Sequence, residues 1–214
     1  MIAVVIPTLD TPAPLARLLS ELPDFVAAYV VDDGSREPIV APVRVLRHET
    51  NRGYGAAQKT GYAAALAEGA DRIVMLHGDG QYNTEDTLAL AALLDHADAA
   101  IGSRFLADPS VIPPWRRWGN RGLTGLANAR FGRDHTDLHS GARAFRASTL
   151  RKLPLASYSD DFLFDQEVLC GLFREGMTVL EGPVRTHYGD GARSISLRRS
   201  VRYGLGCLGV ILGP

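Results

Sequence analysis

Short apolar runs alternate with longer segments of helical pattern over the first half of the chain. The runs lie at residues 2–6, 28–31, 43–48, 72–76 and 99–102, and their Gly, Pro or acidic boundaries predict β-strands. Residues 11–22, 55–68 and 84–96 predict helices, the third with Thr84 as its N-cap and two acids in its first turn, where the helix dipole favours them. Strands and helices alternating at this spacing indicate βαβ units on a parallel sheet.

The pattern changes from about residue 105. The stretch DPSVIPPWRRWGNRG, with three prolines and two tryptophans, predicts a mobile or docking loop, and LTGLANARF then returns to a helical pattern. No acidic side chain follows Asp190, while Arg193, Arg198, Arg199 and Arg202 give this end a formal charge of +4. Apolar residues at helical spacing in residues 194–212 predict a helix that lies on an anionic membrane surface, with packing against the sheet or an oligomer partner as the alternative.

The bulk composition narrows the class of protein. A chain of 214 residues with 46% hydrophobic content is expected to form one globular domain. Its formal charge of −1 argues against a whole-surface attraction to nucleic acid or membrane. Two cysteines without CxxC spacing predict no disulfide framework and fit a reducing cytoplasm. Neither terminal apolar run reaches the roughly 20 residues of a membrane-spanning helix, and no signal peptide is expected.

Polar clusters follow all five predicted strands. They read PTLD, DDGS, HETNRGYG, HGDGQY and GSRF. Turn chemistry explains any one of them, but it does not explain five in succession. Because ligands of parallel α/β sheets bind beyond the carboxyl ends of the strands, these clusters predict a ligand site at that rim. Asp32 and Asp33 leave the second strand together, and adjacent carboxylates can accept from a base N–H and a ribose hydroxyl.

One motif imitates a dinucleotide fingerprint. NRGYGAAQKTG places two glycines before a helix, but Gln58 stands at the third glycine position and the segment follows the third strand instead of the first. This departure argues against a Rossmann dehydrogenase.

The order of the motifs resembles that of nucleotide-sugar-dependent family 2 glycosyltransferases with the GT-A fold. Within them it is similar to the dolichyl-phosphate mannose synthase-like branch and the bacterial polyprenyl-phosphate sugar transferases. The matching motifs span nearly the whole chain: VVIPTLD, VVDDGS, NRGYGAAQKTG, HGDGQY, GSRF, SGARAFR, DDFLFDQE and RSISLRRSVRYGLG. The resemblance implies an α/β fold with a single Rossmann-like, mostly parallel sheet flanked by helices. It also implies a nucleotide-sugar-binding half at residues 1–105, an acceptor-side half at 106–192 and a basic, apolar segment at 193–214.

The resemblance assigns the donor site to three strand ends. The nucleotide base and ribose are expected at the first two, on Pro7, Thr8, Asp10, Asp32 and Asp33. The family usually carries Asp-x-Asp at the fourth, where it holds Mg²⁺ or Mn²⁺, and this chain has His77, Gly78 and Asp79 there. Since hard cations prefer oxygen ligands, Asp79 and Gln81 are the predicted metal ligands. His77 and Gly78 are expected at the ribose or diphosphate, with capping of the turn as the alternative role of His77.

The acceptor side supplies candidate cations and acids. Arg104 and Arg193 are predicted to contact diphosphate or acceptor phosphate, because guanidinium matches phosphate bidentately; an exposed surface arginine is the alternative. Among the acids of residues 160–167, Asp161 and then Asp165 are the predicted catalytic bases, and on a helix they would share one face. Some lipid-phosphate relatives have an aspartate where this chain has Gly141, so no base is expected there.

The expected activity is a metal-dependent, inverting transfer of a sugar from a UDP- or GDP-linked donor to a polyprenyl phosphate. Such an enzyme would work in the cytoplasm, peripherally at the inner face of the membrane. Two alternatives stay open: the same donor chemistry on a soluble or cell-envelope hydroxyl, and a non-catalytic nucleotide-sugar-binding module. The expected partners are the nucleotide sugar, the glycosyl acceptor and a membrane surface, without nucleic acid, and a homo-oligomer is left open.

Overall fold

The computed structural model describes residues 1–187 and 197–213. These residues contain seven strands and eight α-helices, with single 3-10 turns at Pro109–Val111 and Leu155–Ser157. The strands are β1 (Ile2–Thr8), β2 (Val26–Asp32), β3 (Arg44–Arg47), β4 (Arg72–Met75), β5 (Ala99–Ser103), β6 (Arg143–Arg146) and β7 (Val179–Pro183). The helices are α1 (Pro12–Ser20), α2 (Tyr54–Ala67), α3 (Thr84–Leu93), α4 (Arg104–Ala107), α5 (Pro114–Phe131), α6 (Ala147–Lys152), α7 (Phe164–Arg174) and α8 (Leu197–Leu212).

All seven strands form one sheet in the order β3-β2-β1-β4-β6-β5-β7. Every pairing is parallel except those of β6, which runs antiparallel between β4 and β5. The five predicted strands are confirmed, and so is the mostly parallel sheet. Strands β6 and β7 were not predicted. The sequence of β6, RAFR, is short and charged at both ends, and that of β7, VLEGP, contains Gly and Pro, which are unusual in strands.

The sheet is covered on both faces. Successive residues of a strand point to opposite faces, so Ala3 and Val5 join one apolar cluster while Val4 and Ile6 join the other. Helices α2, α7 and α8 contribute to the first cluster, and α1 and α3 to the second. The resulting three layers leave the rim at the carboxyl ends of β1, β2 and β4 to the polar clusters that follow these strands.

Two helix boundaries differ from the prediction. The N-cap of α3 is Asn83, whose Oδ1 accepts from the Asp86 backbone N at 2.9 Å, so the assignment of Thr84 as the cap is wrong by one residue. The prediction of a loop around the two tryptophans is also wrong, because α5 begins at Pro114 and includes both of them. A proline is tolerated in the first helical turn, where its missing N–H has no partner to lose.

The C-terminal helix is confirmed, but it has two different faces. Cys207 and Ile211 are buried against the core, as the packing alternative expected, whereas Leu205 and Leu212 are exposed. Both cysteines are free thiols. Among the described helices, none combines the length and the apolar character that crossing a bilayer requires.

Candidate active site

The carboxylate of Asp32 closes the turn that follows β2. It is fully buried, accepts from the backbone N of Ser35 at 2.8 Å and of Ile39 at 3.2 Å, and pairs with Arg47. Burial pushes the pKa of Asp32 upward, but the hydrogen bonds from Ser35 and Ile39 and the charge of Arg47 outweigh it and lower the pKa below its usual value. The acid therefore stays ionised and fixes the shape of the turn.

Asp33 ties this turn to the start of α2. Its carboxylate accepts from the backbone N of Arg52 and Gly53 at 2.9 Å each and from His48 Nδ1 at 2.7 Å. Gly53 has a φ of 109°, and a Cβ there would lie 3.0 Å from the carbonyl carbon of Asp160 and closer still to its oxygen. The close approach requires glycine and brings the NRGYG motif against residues 159–160.

The first strand end lies beside this turn. Thr8, the last residue of β1, pairs in register with Asp32, and its Oγ1 lies 2.7 Å from Oγ1 of Thr11. Asp10 adopts a φ of 54°, and its Oδ1 accepts from the backbone N of Arg36 at 2.9 Å. The residues predicted to hold base and ribose, with Pro7 beside Thr8, are thus brought together. The carboxylates of Asp32 and Asp33 accept hydrogen bonds from the protein's own backbone. Their contact with a nucleotide stays a prediction.

His77 lies in an aromatic stack at the end of β4. Its ring is stacked between Tyr54, with centroids 5.1 Å apart, and Tyr82, at 5.2 Å, and Phe162 stacks on the far side of Tyr54 at 5.2 Å. His77 Nε2 lies 3.0 Å from the Tyr54 hydroxyl. A turn-capping histidine would not need an aromatic ring on each side, so the stack, which the sequence did not predict, gives His77 a defined orientation.

A hydrogen-bond chain continues from this stack into the protein. The Tyr54 hydroxyl donates to Asp165 Oδ2 at 3.2 Å, and Gln58 Nε2 donates to Asp165 Oδ1 at 2.9 Å. Burial, together with the charge of Asp165, raises the pKa of Tyr54 well above its usual value, so the phenol keeps its one proton. Because that proton goes to the carboxylate, the phenol oxygen accepts from His77 Nε2–H. This tautomer leaves Nε2 without a lone pair for a metal.

Gly141 makes room for the His77 ring. A Cβ at position 141 would lie 2.8 Å from Cδ2 and 3.1 Å from Cε1 of His77, and closer still to Nε2. The backbone N of Gly141 also donates to the Tyr82 hydroxyl at 2.8 Å. The imidazole therefore occupies the volume that a side chain at position 141 would fill.

Asp79 and Gln81 follow this stack in an exposed turn. Asp79 is exposed, and its Oδ1 accepts from the Gln81 backbone N at 3.0 Å. The Gln81 carbonyl accepts from the backbone N of His187 at 2.8 Å, which fixes the turn from the other side. No group of three or more His, Cys, Asp or Glu side chains within residues 1–187 and 197–213 is placed to hold a metal. One carboxylate and one amide oxygen fit a divalent cation that takes its remaining oxygens from a substrate diphosphate and water.

Arg104 has a different environment from the one predicted. It is buried, and its Nε and Nη2 donate to the two carboxylate oxygens of Asp137 at 2.7 and 2.9 Å. The loop before Asp137 is fixed by Glu181, which accepts from the backbone N of Thr136 and of Asp137. The exposed-arginine alternative is wrong, and the predicted phosphate contact would have to compete with this bidentate pair. Arg193 lies outside the described residues.

The two predicted bases differ in placement. Asp161 is exposed in the turn before α7, where its Oδ1 accepts from the Phe162 backbone N at 2.8 Å, whereas Asp165 is buried in the first turn of α7. The two acids do not share a helix face, because α7 begins only at Phe164 and Asp161 precedes it.

Sequence reasoning missed the cation beneath the site. Arg143 is fully buried, donates through Nε and Nη2 to the Ser140 carbonyl at 3.3 and 3.2 Å, and lies 3.8 Å from Asp165. It thereby joins the start of β6 to α7.

Sequence reasoning also missed the role of Gln58, which was interpreted only as a departure from a glycine motif. The Tyr62 hydroxyl donates to Gln58 Oε1 at 2.6 Å. A polar residue one turn before Tyr62 on an Ala-rich helix was a usable signal for this contact.

Comparison with known proteins supplies a family. The model of glycosyl transferase family 2 matches residues 3–153. An uncharacterized protein of Methanocaldococcus jannaschii is 30% identical over 198 residues, covering 87% of this chain and 82% of its own length. The undecaprenyl-phosphate mannosyltransferase of Micrococcus luteus is 29% identical over 196 residues, covering 84% and 81%. Among solved structures, this chain is similar in fold to glucosyl-3-phosphoglycerate synthase of Mycobacterium tuberculosis in complex with Mn²⁺, uridine diphosphate and phosphoglyceric acid. The superposition has a TM-score of 0.73 at 17% identity and covers 100% of this chain and 79% of the other.

Proposed function

Because this chain belongs to glycosyl transferase family 2, we propose that it transfers a sugar from a nucleotide-sugar donor to a polyprenyl phosphate at the cytoplasmic face of a membrane. The observation that carries the proposal is the exposed Asp79 carboxylate beside Gln81 at the end of β4, next to the strand ends that carry Thr8 and Asp32. The Micrococcus luteus relative, named an undecaprenyl-phosphate mannosyltransferase, supports a lipid phosphate as the acceptor class.

In this proposal the turns after β1 and β2 bind the nucleoside. Asp32 and Asp33 shape these turns through their backbone hydrogen bonds, and Thr8 and Asp10 line the same rim. A pocket with a fixed backbone suits a ligand that is recognised by hydrogen bonds, because little conformational entropy is lost when the ligand binds.

Asp79 and Gln81 would hold the divalent cation, Mg²⁺ or Mn²⁺, together with the donor diphosphate. A cation bound there supplies positive charge that stabilises the departing nucleoside diphosphate. His77 contributes through the position of its ring, since Nε2–H is committed to the Tyr54 hydroxyl and the ring is stacked on both sides. Its role in this proposal is to form the wall against which donor ribose or diphosphate lies.

A lipid phosphate removes the need for a strong base. The second ionisation of a phosphate monoester has a pKa of about 6, so the attacking oxygen is already anionic near neutral pH. Asp165 holds Tyr54 and Gln58 in place and is buried, which suits a positioning role. Asp161 is exposed and would be the base for a hydroxyl acceptor.

The direct test supplies Mn²⁺, a panel of nucleotide sugars and a short-chain, water-soluble polyprenyl phosphate, and follows formation of the glycosylated lipid by mass spectrometry. We expect one donor to give a lipid-linked sugar, and Asp161→Asn to retain most of this activity. Asp160→Asn, which changes the neighbouring exposed acid, is the matched control.

Two results would contradict the proposal. Product on a hydroxyl acceptor only, abolished by Asp161→Asn and not by the control, would favour the soluble or cell-envelope acceptor. Tight donor binding without transfer to either acceptor would favour a binding module. Thermal shift across the same donor panel separates failure to bind the donor from failure to transfer the sugar.

A further inference from the structure

Two stretches without acidic residues meet at helices α5 and α8. Between Asp108 and Asp134 the chain has five arginines and no acid, and after Asp190 it has four arginines and no acid. Helices α5 and α8, which carry most of these arginines, pack against each other. A protein whose formal charge is only −1 thus concentrates positive charge on one pair of adjacent helices.

The exposed side of α5 carries large aromatic rings. Trp115 is 50% exposed and Trp118 is 73% exposed, and three residues apart they lie on one side of the helix. The guanidinium of Arg116 stacks over the Trp115 ring at 5.0 Å, and that of Arg121 over Phe105 at 5.0 Å. Indole rings that are at least half exposed, one of them with an arginine stacked on it, are not part of the hydrophobic core.

Helix α8 adds to the same kind of surface. Its buried side packs through Cys207 and Ile211, and its exposed side carries Arg202, Leu205 and Leu212. The exposed positions are spaced at three and seven residues, so they lie along one side of the helix.

We propose that the surface formed by Trp115, Trp118 and Arg121 of α5 with Arg202 and Leu205 of α8, here called the α5–α8 surface, docks the protein on an anionic lipid bilayer. Tryptophan suits the headgroup region because its ring is apolar and its N–H is polar, and arginine is attracted to anionic lipids. The inference rests on the proposed function for its purpose, since a polyprenyl phosphate is presented at a membrane surface.

The charge of the α5–α8 surface argues against a second copy as its occupant. A two-fold dimer brings the same patch of both copies together, so the acid-free surface would face its own arginines. Like charges placed opposite one another disfavour association, whereas an anionic bilayer complements them.

The α5–α8 surface also adjoins the candidate active site. Phe105, under Arg121, is two residues beyond the end of β5 at the site rim. On α8, the Tyr203 hydroxyl lies 3.3 Å from Nδ1 of His139, which is two residues before Gly141. Docking through the α5–α8 surface would therefore bring the site rim to the level of the lipid headgroups.

Tryptophan emission reports on the α5–α8 surface alone, because the chain has only two tryptophans and both lie on it. The full chain is titrated with vesicles of phosphatidylcholine, and with vesicles that also contain phosphatidylglycerol. We expect a blue shift and co-sedimentation with the anionic vesicles that weaken at high salt. Arg121→Ala should lower partitioning about fivefold, and Trp115→Ala/Trp118→Ala, followed by co-sedimentation, by on the order of tenfold or more.

The control replaces exposed apolar residues elsewhere. Phe25→Ala/Val40→Ala removes side chains that are 71% and 93% exposed, and it should partition like the wild type. Transfer to a water-soluble acceptor should be unchanged in both double variants, so a failed docking surface is distinguishable from a failed transferase. Equal vesicle binding by the wild type and Trp115→Ala/Trp118→Ala would overturn the inference. So would wild-type self-association without lipid that the tryptophan variant loses, because the face would then join copies of the chain.

Discussion

The fit between His77 and Gly141 can be tested as a coupling energy. In Gly141→Ala the new Cβ would meet three atoms of the His77 ring, at distances of 3.1 Å or less, whereas carbon atoms in good contact are about 3.5–4.0 Å apart. The ring has little room to retreat, because it is stacked between Tyr54 and Tyr82. Overpacking typically costs about 1–3 kcal/mol, and loss of the hydrogen bond to Tyr54 adds about 0.5–1.5 kcal/mol. We therefore expect Gly141→Ala to lower the free energy of unfolding by roughly 1.5–4.5 kcal/mol.

Gly141→Ala should change the free energy of unfolding in the opposite direction when the His77 ring is absent. In a His77→Ala background the three nearest atoms are absent, and the backbone of Gly141 is not in the left-handed region that favours glycine. Alanine then restricts the unfolded chain and stabilises the fold by about 0.4–1 kcal/mol. The four proteins form a double-mutant cycle with a coupling of at least about 2 kcal/mol.

Urea unfolding followed by circular dichroism measures each free energy of unfolding in the cycle. Gly125→Ala is the control, since a Cβ there meets nothing within 4 Å and alanine is the better helix former. Additivity of His77→Ala and Gly141→Ala to within about 0.5 kcal/mol would refute the steric reasoning.

Three further outcomes are expected. Asp79→Ala should lose most transferase activity while its melting temperature stays unchanged, and near-native turnover at saturating donor would remove Asp79 from the metal site. Asp137→Ala should lower the free energy of unfolding by about 3–5 kcal/mol in urea unfolding, because it removes the carboxylate that pairs with the buried guanidinium of Arg104, and a loss below about 1 kcal/mol would contradict the buried pair. Burial lowers the pKa of His139 to about 4, against about 6.5 in the unfolded chain, so its contribution of up to about 3 kcal/mol is full above pH 6.5 and is lost as the pH falls towards 4. His139→Gln should flatten this acid limb of the stability profile, and an unchanged limb would refute the assignment.

The elements and the rim of the site were predictable from local patterns. Apolar runs identified the strands, and the ends of parallel strands must meet at one edge, which brings Asp32, Asp33 and Asp79 to the same rim without any knowledge of packing. The polar residues at these ends were visible as sequence motifs because each motif is contiguous.

The partners of the side chains were not predictable in the same way. Tyr54 lies inside a recognised motif, but its hydroxyl meets Asp165, 111 residues away, and Arg104 meets Asp137 across 33 residues. No local periodicity encodes such contacts, since they depend on which helices the sheet order makes neighbours. The same applies to Gly141, whose small size is explained by the ring of His77, which follows β4.

The antiparallel strand β6 has a consequence for how the chain acquires its fold. It lies between β4 and β5 and supplies the hydrogen bonds that join them, yet it is made more than 40 residues after β5 begins. During synthesis, β5 has no partner from the first half of the chain, so its edge and that of β4 stay open until Arg146 has left the ribosome. A fragment that ends near residue 105 should therefore aggregate instead of binding nucleotide, although it contains the residues predicted to hold one. We therefore expect that residues 1–105, predicted to bind the nucleotide sugar, do not fold as an independent stage.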